Sequence, residues 1–520
     1  MGYGDGRRSS WIIRICVVCA ARHALAGPGR QRADEERGDV NRESFDVVVV
    51  GNGVIGLSIA LAVVNEQPSA SIAVIGPVDR DGGATAAAGA MLGCFGEVTA
   101  TTITSQHGQR KLELAIAARN LWPGWLDQLG PQPQPVVTAS ETVVLLNTVG
   151  SADVDSTNFA AVLRALRDAD EPYEEIAVED VAWLDPDSNA RPLRALHLPN
   201  EGAVNPTALL NALTHTLEEK GVTLLDTIAT GLWVNAGRIA GVLLPDTRIA
   251  AGSVVVAAGA ASGVLARSVP QLRHRVPIVL GGAGVSALAR TVDTTVPPYV
   301  LRTPNRAFAC GLHVLPRTDG TVYLGATNEV TFEPQYDATI AEINILTTSA
   351  VRQIRKDLDG AHLLKVQVGN RPMSIDGWPL IGPTSIEGLW LVTGTYRDGL
   401  HLSPLLADEV AKRLTGGGGG IDIDMFRPER EPISTLSRSE VLDEVVRHTV
   451  ATGFEARWHL DSDWPDTIGK FARVSFENLL DELGGHYMPP PALLSVLLKS
   501  SGDEVAEMRA YYRAVHAAWH

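Results

Sequence analysis

Asp46-Val47-Val48-Val49-Val50-Gly51-Asn52-Gly53-Val54-Ile55-Gly56 is the stretch on which the fold turns. The valine run is too short for a helix and β-branched throughout, so it reads as a buried parallel strand. Leu57 to Asn65 is apolar and Ala-rich, as a helix packed on a sheet would be. Ser71 to Ile75 supplies a second strand, which completes a βαβ unit of about thirty residues. In this setting Gly51 permits a tight turn, Gly53 lets the backbone approach a pyrophosphate, and Gly56 lets the helix pack closely on the strand. The helix N-terminus then offers N–H groups and a positive dipole end to phosphates. There is one departure. The second strand should end in an acid that bonds a ribose, but Gly76 stands there, followed by Pro77-Val78-Asp79-Arg80. Either Asp79 reaches back, or backbone and water hold the ribose.

Beyond this unit, Lys111 to Leu129 reads as a helix, Val136 to Leu146 as strands and Asn158 to Asp168 as a helix. Asn205-Pro206 opens a helix that Gly221 stops. Strand patterns follow at 222–225, 231–235 and 239–244, and Ser253 to Ala258 is a buried strand ending in Gly259. Strands at 307–316 and 322–326, a helix at 339–358, a strand at 389–393 and a helix at 403–414 complete this part. Gly416 to Gly420, with maximal backbone freedom, reads as a flexible linker. After it, apolar pairs at Val441-Leu442, Val445-Val446, Leu493-Leu494 and Leu497-Leu498 predict helices.

The 520 residues leave room for roughly three to four domains. With 45% hydrophobic and 20% charged residues the chain has the balance of a folded globular protein. A net charge of −16 argues against a nucleic-acid surface, which needs clustered Lys and Arg. Small anionic substrates answer to local charge only. Four cysteines make no disulfide framework, and Cys16-x-x-Cys19 has no second pair to complete a metal or redox motif. No run reaches the roughly 18 apolar residues of a spanning helix, so no membrane partner is expected. Arg7-Arg8, an apolar stretch from Trp11 to Ala21 and Ala24-Leu25-Ala26 outline an export signal, which Arg14 interrupts. Residues 1–44 are therefore expected as a disordered leader and the protein as cytoplasmic, with export the alternative.

Four further segments carry chemistry. Gly83-Ala84-Thr85-Ala86-Ala87-Ala88-Gly89-Ala90-Met91-Leu92 is a run of small residues that lets backbone come close to something large and flat. His313 to Thr327 reads as a hairpin turning at Asp319-Gly320. Asn370-Arg371-Pro372-Met373-Ser374-Ile375-Asp376-Gly377-Trp378-Pro379-Leu380-Ile381-Gly382 and Thr393-Gly394-Thr395-Tyr396-Arg397-Asp398-Gly399-Leu400 each place one arginine on a segment otherwise poor in positive charge. A guanidinium is a planar, bidentate partner for a carboxylate, either of a substrate or of a structural salt bridge.

In this order the motifs resemble the flavin-dependent D-amino-acid oxidase superfamily, nearest its glycine oxidase branch, over about residues 45–415. The resemblance implies an α/β fold with an α+β substrate domain. A Rossmann-like FAD-binding domain (45–100, 195–270 and 365–415) would interleave with an antiparallel-sheet substrate domain (101–194 and 271–364). A glycine linker (416–420) and a helical C-terminal extension (421–520) would follow. Gly51, Gly53 and Gly56 would hold the FAD pyrophosphate, and Thr85, Gly89 and Met91 would line the flavin. Gly259 would approach the adenine side. Gly394, Asp398, Gly399 and Leu400 would turn backbone N–H groups to the flavin pyrimidine edge, where negative charge accumulates on reduction. Arg371 would pair the substrate carboxylate, with Arg397 and Tyr396 beside the flavin. The implied reaction is hydride transfer from a carboxylate-bearing amine, of the glycine or N-substituted glycine kind, to flavin. The imine then hydrolyses, with O2 as acceptor and hydrogen peroxide as product. Relatives that attach flavin through a cysteine near the position of Gly369-Asn370 have no counterpart here, so FAD is expected to be non-covalent and Cys94 a buried free thiol.

Other readings of the same motifs are a dehydrogenase with another electron acceptor and a catalytically idle or regulatory flavin-binding protein. A flavin monooxygenase should show a late Gly-Asp motif, where Gly394-Thr395-Tyr396-Arg397-Asp398 stands instead, and a disulfide reductase a redox cysteine pair near the first helix, where none follows Cys19. No metal site is expected. His448, His459, His486 and His516 read as surface histidines, and Trp458, Trp464 and Trp519 as core. The extension is open to three roles: a lid, an oligomer contact or a docking surface. Homo-oligomerisation is left open.

Overall fold

The computed structural model describes residues 44–147, 152–306, 311–455 and 464–520. Residues 1–43 of the expected leader, with Cys16, Cys19 and the export-signal outline, lie outside them, as do Cys310, Trp458 and His459, while Ser44 already belongs to the first strand.

The chain opens as its valines predict: strand β1 (Ser44–Val50), helix α1 (Val54–Glu66) and strand β2 (Ile72–Ile75). β1 and β2 pair in parallel, Val47 to Val50 against Ile72 to Ile75. Helix α2 (Gln106–Leu126), strand β3 (Thr142–Asn147), helix α3 (Ala152–Asp168) and strand β4 (Pro192–Leu198) follow. Helix α4 (Pro206–Glu219) starts at Asn205, whose side chain accepts the N–H groups of Thr207 and Ala208. Strands β5 (Thr223–Leu225) and β6 (Arg248–Val256) return to the first sheet. There β6 pairs in parallel with β1 and β2 with β5.

The second sheet takes up strands β7 (Val279–Arg290), β8 (Val300–Arg302), β9 (His313–Pro316), β10 (Val322–Gly325), β11 (Glu329–Thr331) and β12 (His362–Ser374). Its order runs β11-β7-β10-β9-β8-β3-β4. β12 pairs antiparallel along the whole of β7, from Val279 opposite Ser374 to Arg290 opposite His362. Arg371 therefore stands in the second sheet, although sequence grouped 365–415 with the dinucleotide domain. The sheet is antiparallel except where β8 runs parallel to β3. The Asp319-Gly320 turn joins β9 to β10, with Gly320 at φ +76°. Strands β13 (Leu380–Pro383) and β14 (Leu389–Thr393) and helix α5 (Gly399–Leu414) then rejoin the first sheet, β14 parallel to β6.

The glycine run is more tethered than its composition suggests. Gly417 N–H donates to Lys412 O, and the Gly420 and Ile421 N–H groups donate to the buried Glu409 carboxylate at 2.9 and 3.1 Å. Helices α6 (Arg438–Glu455), α7 (Trp464–Leu483), α8 (Pro491–Lys499) and α9 (Gly502–Trp519) build the extension. Their apolar sides, including Val445, Phe476, Leu480, Leu494, Met508 and Tyr512, form one core with Ile278, Leu280, Val330, Met373 and Ile375 of the second-sheet region. Ile278 N–H donates to Tyr511 Oη at 3.3 Å. Trp464 is exposed rather than core, while Trp519 packs at the edge of this cluster. No helix among the described residues is long and apolar enough to cross a membrane.

Candidate active site

Two helix N-termini converge at the ends of β1 and β14. The N-cap residues Gly53 of α1 and Asp398 of α5 make no side-chain capping bond, and no acid stands in the first turn of either helix. Gly399 brings them together, since a Cβ there would lie 3.3 Å from Ile55 Cδ1 and 2.5 Å from Thr395 Oγ1. Gly51 has φ +118° and a Cβ there would meet Ala257 O at 2.2 Å, so only glycine makes this turn. A Cβ on Gly56 would likewise lie 1.9 Å from Gly51 O. By contrast, a Cβ on Gly53 would touch only Thr85 Oγ1, at 3.4 Å, and one on Gly259 (φ +57°) would meet nothing within 4 Å. The result is bare glycine backbone beside two helix N-termini with their positive dipole ends, an arrangement that suits a pyrophosphate. Thr85 Oγ1 accepts Val54 N–H at 3.3 Å, and Thr393 Oγ1 donates to Gly259 O at 2.9 Å.

At the expected ribose position the Asn52 side chain fills the space over Gly76; a Cβ there would sit 2.4 Å from Asn52 Cγ. Asn52 Nδ2 donates to Pro77 O, and Arg80 Nε donates to Asn52 O. Asp79 accepts the Asp81 N–H within its own loop.

The small-residue loop is pinned by the second sheet. Tyr323 Oη and Ser286 Oγ donate to Ala87 O at 3.0 and 3.1 Å. Arg317 donates to Gly89 O and Ala88 O at 3.2 and 3.1 Å, and remains a cation although burial pulls its pKa down to about 10. Gly89 is needed because a Cβ would press on His313 and Tyr323 at 3.1 Å. Met91, in a short strand with Ala203, brings Sδ to 3.9 Å from Arg302 Nη1.

Arg371 reaches across β7. Its Nη1 donates to Gly282 O, Thr327 O and Asn328 Oδ1 at 3.4, 3.3 and 3.2 Å. Its guanidinium occupies the place a Cβ on Gly284 would take, 2.2 Å from Nη1. Among the described residues no carboxylate pairs with it. Asn328 Nδ2 donates to Tyr396 Oη at 2.6 Å, so one amide ties Arg371 to Tyr396. Tyr396 takes φ +51°, which swings its ring over Gly282, and the Arg397 guanidinium lies 5.1 Å from that ring. Gly394 turns at φ +69° to allow the bend. Lys111 Nζ holds Asp398 at 2.5 Å, beside Gly399 and Leu400 at the start of α5.

Next to this lies a buried charged group that sequence reading did not single out. Arg302 pairs with Glu97 at 2.6 Å and donates to Asn305 at 3.2 Å. Burial alone would raise the Glu97 pKa, but the charges of Arg302 and Arg397 and the bonds from Arg302 and Asn305 hold it down at about 2. Burial, reinforced by Arg302, lowers His313 to about 3, so its imidazole is neutral. Glu201 accepts the N–H groups of Cys94, Phe95 and Gly96 at 2.8, 2.5 and 3.2 Å. Cys94 is buried and free, its thiol pKa pushed up by burial and the Glu201 charge. A cavity of about 300 Å³ opens beside Glu97, Tyr396 and Arg397, and its far wall is extension: Leu436, His448 and Met488. His448 lines this cavity, with Nε2 3.3 Å from Glu444.

Comparison with known proteins gives a family and a fold. The profile of the family described as FAD dependent oxidoreductase matches residues 46–413. Glycine oxidase of Pseudomonas aeruginosa is 27% identical over 389 residues, 74% of this chain and 98% of that protein. Glycine oxidase of Pseudomonas putida is 35% identical over 203 residues, 38% of this chain and only 52% of that protein. Among solved structures, glycine oxidase from Geobacillus kaustophilus superposes with a TM-score of 0.63 at 22% identity, over 75% of this chain and 99% of that one. Iminodiacetate oxidase from Chelativorans sp. BNC1 gives 0.63 at 20%, over 74% and 98%. Both superpositions share the fold.

Proposed function

The chain belongs to the family of FAD dependent oxidoreductases, and from that premise we propose that it oxidises the C–N bond of an amino acid or N-substituted glycine. The observation that carries this reading is Arg371: a cation on neutral acceptors, joined through Asn328 to Tyr396, which lines the cavity. Gly51, Gly53 and Gly56 with the α1 and α5 N-termini would hold FAD without a covalent bond, and Thr85, Gly89, Met91 and Gly259 would flank it. FAD supplies the acceptor for the hydride that leaves the substrate α-carbon.

The residues of the chain bind and orient. Arg371 takes the substrate carboxylate, and Asn328 fixes its guanidinium plane through Tyr396. This positions one C–H bond for transfer, and such orientation lowers the barrier. The positive charges of Arg371 and Arg397 favour the neutral amine, whose lone pair must be free to form the C=N bond as the hydride departs. The nitrogen loses a proton, water adds to the imine, and an oxo acid and an amine or ammonia result. With O2 as the acceptor, hydrogen peroxide is the second product.

The test is anaerobic mixing of the flavin-loaded protein with a panel of amino acids and N-alkyl glycines while flavin absorbance is followed. Bleaching by a carboxylate-bearing amine supports the proposal, and admission of air then distinguishes an oxidase from a dehydrogenase. Bound flavin that no amine bleaches would overturn it in favour of an idle flavoprotein.

A further inference from the structure

The last turn of α9 presents His516, with His520 four residues on. Their rings are 4.5 Å apart. Residues four apart on a helix lie on the same face, the arrangement by which two imidazoles serve one ion. Glu431 faces them from the segment between the glycine run and α6; its Oε1 lies 3.1 Å from His520 Nε2. One ligand-capable atom from each of Glu431, His516 and His520 lies within 4.8 Å of the other two. In sequence, Glu431 and His520 are 89 residues apart.

We propose that Glu431, His516 and His520 form a binding site for a divalent transition-metal ion of the zinc class. Two imidazoles and one carboxylate match what such ions prefer, whereas Mg²⁺ and Ca²⁺ ask for all-oxygen shells. Three protein ligands leave a fourth, solvent-facing position for water. Tetrahedral bonds of roughly 2.0–2.1 Å need ligand atoms about 3.3 Å apart, so the histidine rings close in by small side-chain rotations. The surroundings are those of a ligating set. Tyr487 Oη donates to Glu431 Oε1 at 2.6 Å, the outer bond that orients a ligating carboxylate. The His486 ring stacks on His516 at 4.4 Å and limits its rotation. The ion would be structural. It would tie the end of α9 to Glu431, whose neighbour Arg430 is buried against Asp376 of the Arg371 segment.

The experiment uses the full, tag-free, flavin-loaded chain, stripped with EDTA and titrated with ZnCl2 against a chromogenic chelator. One equivalent bound at micromolar affinity or tighter, with a rise in Tm, is expected. His516→Gln and Glu431→Gln should each weaken binding at least tenfold, and Tyr487→Phe about tenfold. Absence of a stoichiometric equivalent, or one whose affinity all three variants retain, would overturn the proposal and leave an ordinary surface ion pair. Flavin content and circular dichroism report folding of each variant. Should His516→Gln not fold, His520→Gln at the exposed end of the helix gives the same reading.

Discussion

At the scale of residues, the sharpest consequence concerns Arg371 and the glycine beneath it. Charge-assisted hydrogen bonds contribute about 1.5–3 kcal/mol, so Arg371→Ala should raise the Kd of a carboxylate substrate roughly 10–100-fold while flavin stays bound. Gly284→Ala should mimic this without removing the charge, because its Cβ would land 2.2 Å from Arg371 Nη1 and displace the guanidinium. Equilibrium binding of a carboxylate inhibitor, read from the flavin spectrum, checks both. His313 sets a pH dependence. Its folded pKa of about 3 lies below the ordinary 6.5. Below pH 6.5 the unfolded chain therefore takes up a proton that the folded one refuses, and stability falls as pH drops from 6.5 towards 3. Glu97, at about 2 against 4.5, adds a further loss between 4.5 and 2. Urea denaturation at pH 7.5 and 5 should show a smaller loss for His313→Gln than for the wild type. Part of the loss stays in the variant, because the buried His401 is also shifted down. Arg371 was legible in the sequence because it lies in a contiguous motif. The Glu97–Arg302 pair was not, because 205 residues separate partners that only the folded sheet brings together.

At the scale of elements, the β1–α1 turn is the proposed seat of the cofactor pyrophosphate. Gly51→Ala combines a positive φ with a Cβ 2.2 Å from Ala257 O, so strand and helix must part. The expected outcome is loss of bound FAD and a lower Tm, whereas Gly259→Ala, with open space around it, should keep its fold and be the milder change. Comparing FAD content after gel filtration decides this. The βαβ unit could be read directly because its determinants are local: β-branched residues, three glycines and an alanine-rich helix. The glycine run was misleading for the opposite reason. Composition measures freedom in isolation, and the carboxylate of Glu409 that captures its amides belongs to the preceding helix. In sequence, His516 reads as a surface histidine and His520 is not singled out, since Glu431 lies far away in the chain and the i, i+4 pair needs the helix to be seen.

At the scale of the whole molecule, the extension is continuous with the rest of the fold. Removing residues 421–520 would bare Ile278, Leu280, Val330, Met373 and Ile375, now buried. An apolar patch of this kind drives association, so the shortened chain should elute as aggregate, or not at all, in size-exclusion chromatography. Arg430 gives a finer probe. It donates twice to Asp376 Oδ2, at 3.2 and 2.9 Å, and both side chains are buried. Arg430→Met leaves that carboxylate unpaired and should cost about 3–5 kcal/mol in denaturation experiments, and adding Asp376→Asn should recover part of it. The same pair bears on how the protein is made. A chain emerges from the ribosome N-terminus first at roughly 5–20 residues per second. Asp376 precedes Arg430 by 54 residues, so the carboxylate waits on the order of 3–10 s for its guanidinium, and Ile278 waits longer still for Tyr511. A nascent chain stalled before residue 430 thus carries the Asp376 carboxylate without its guanidinium and Ile278 without Tyr511.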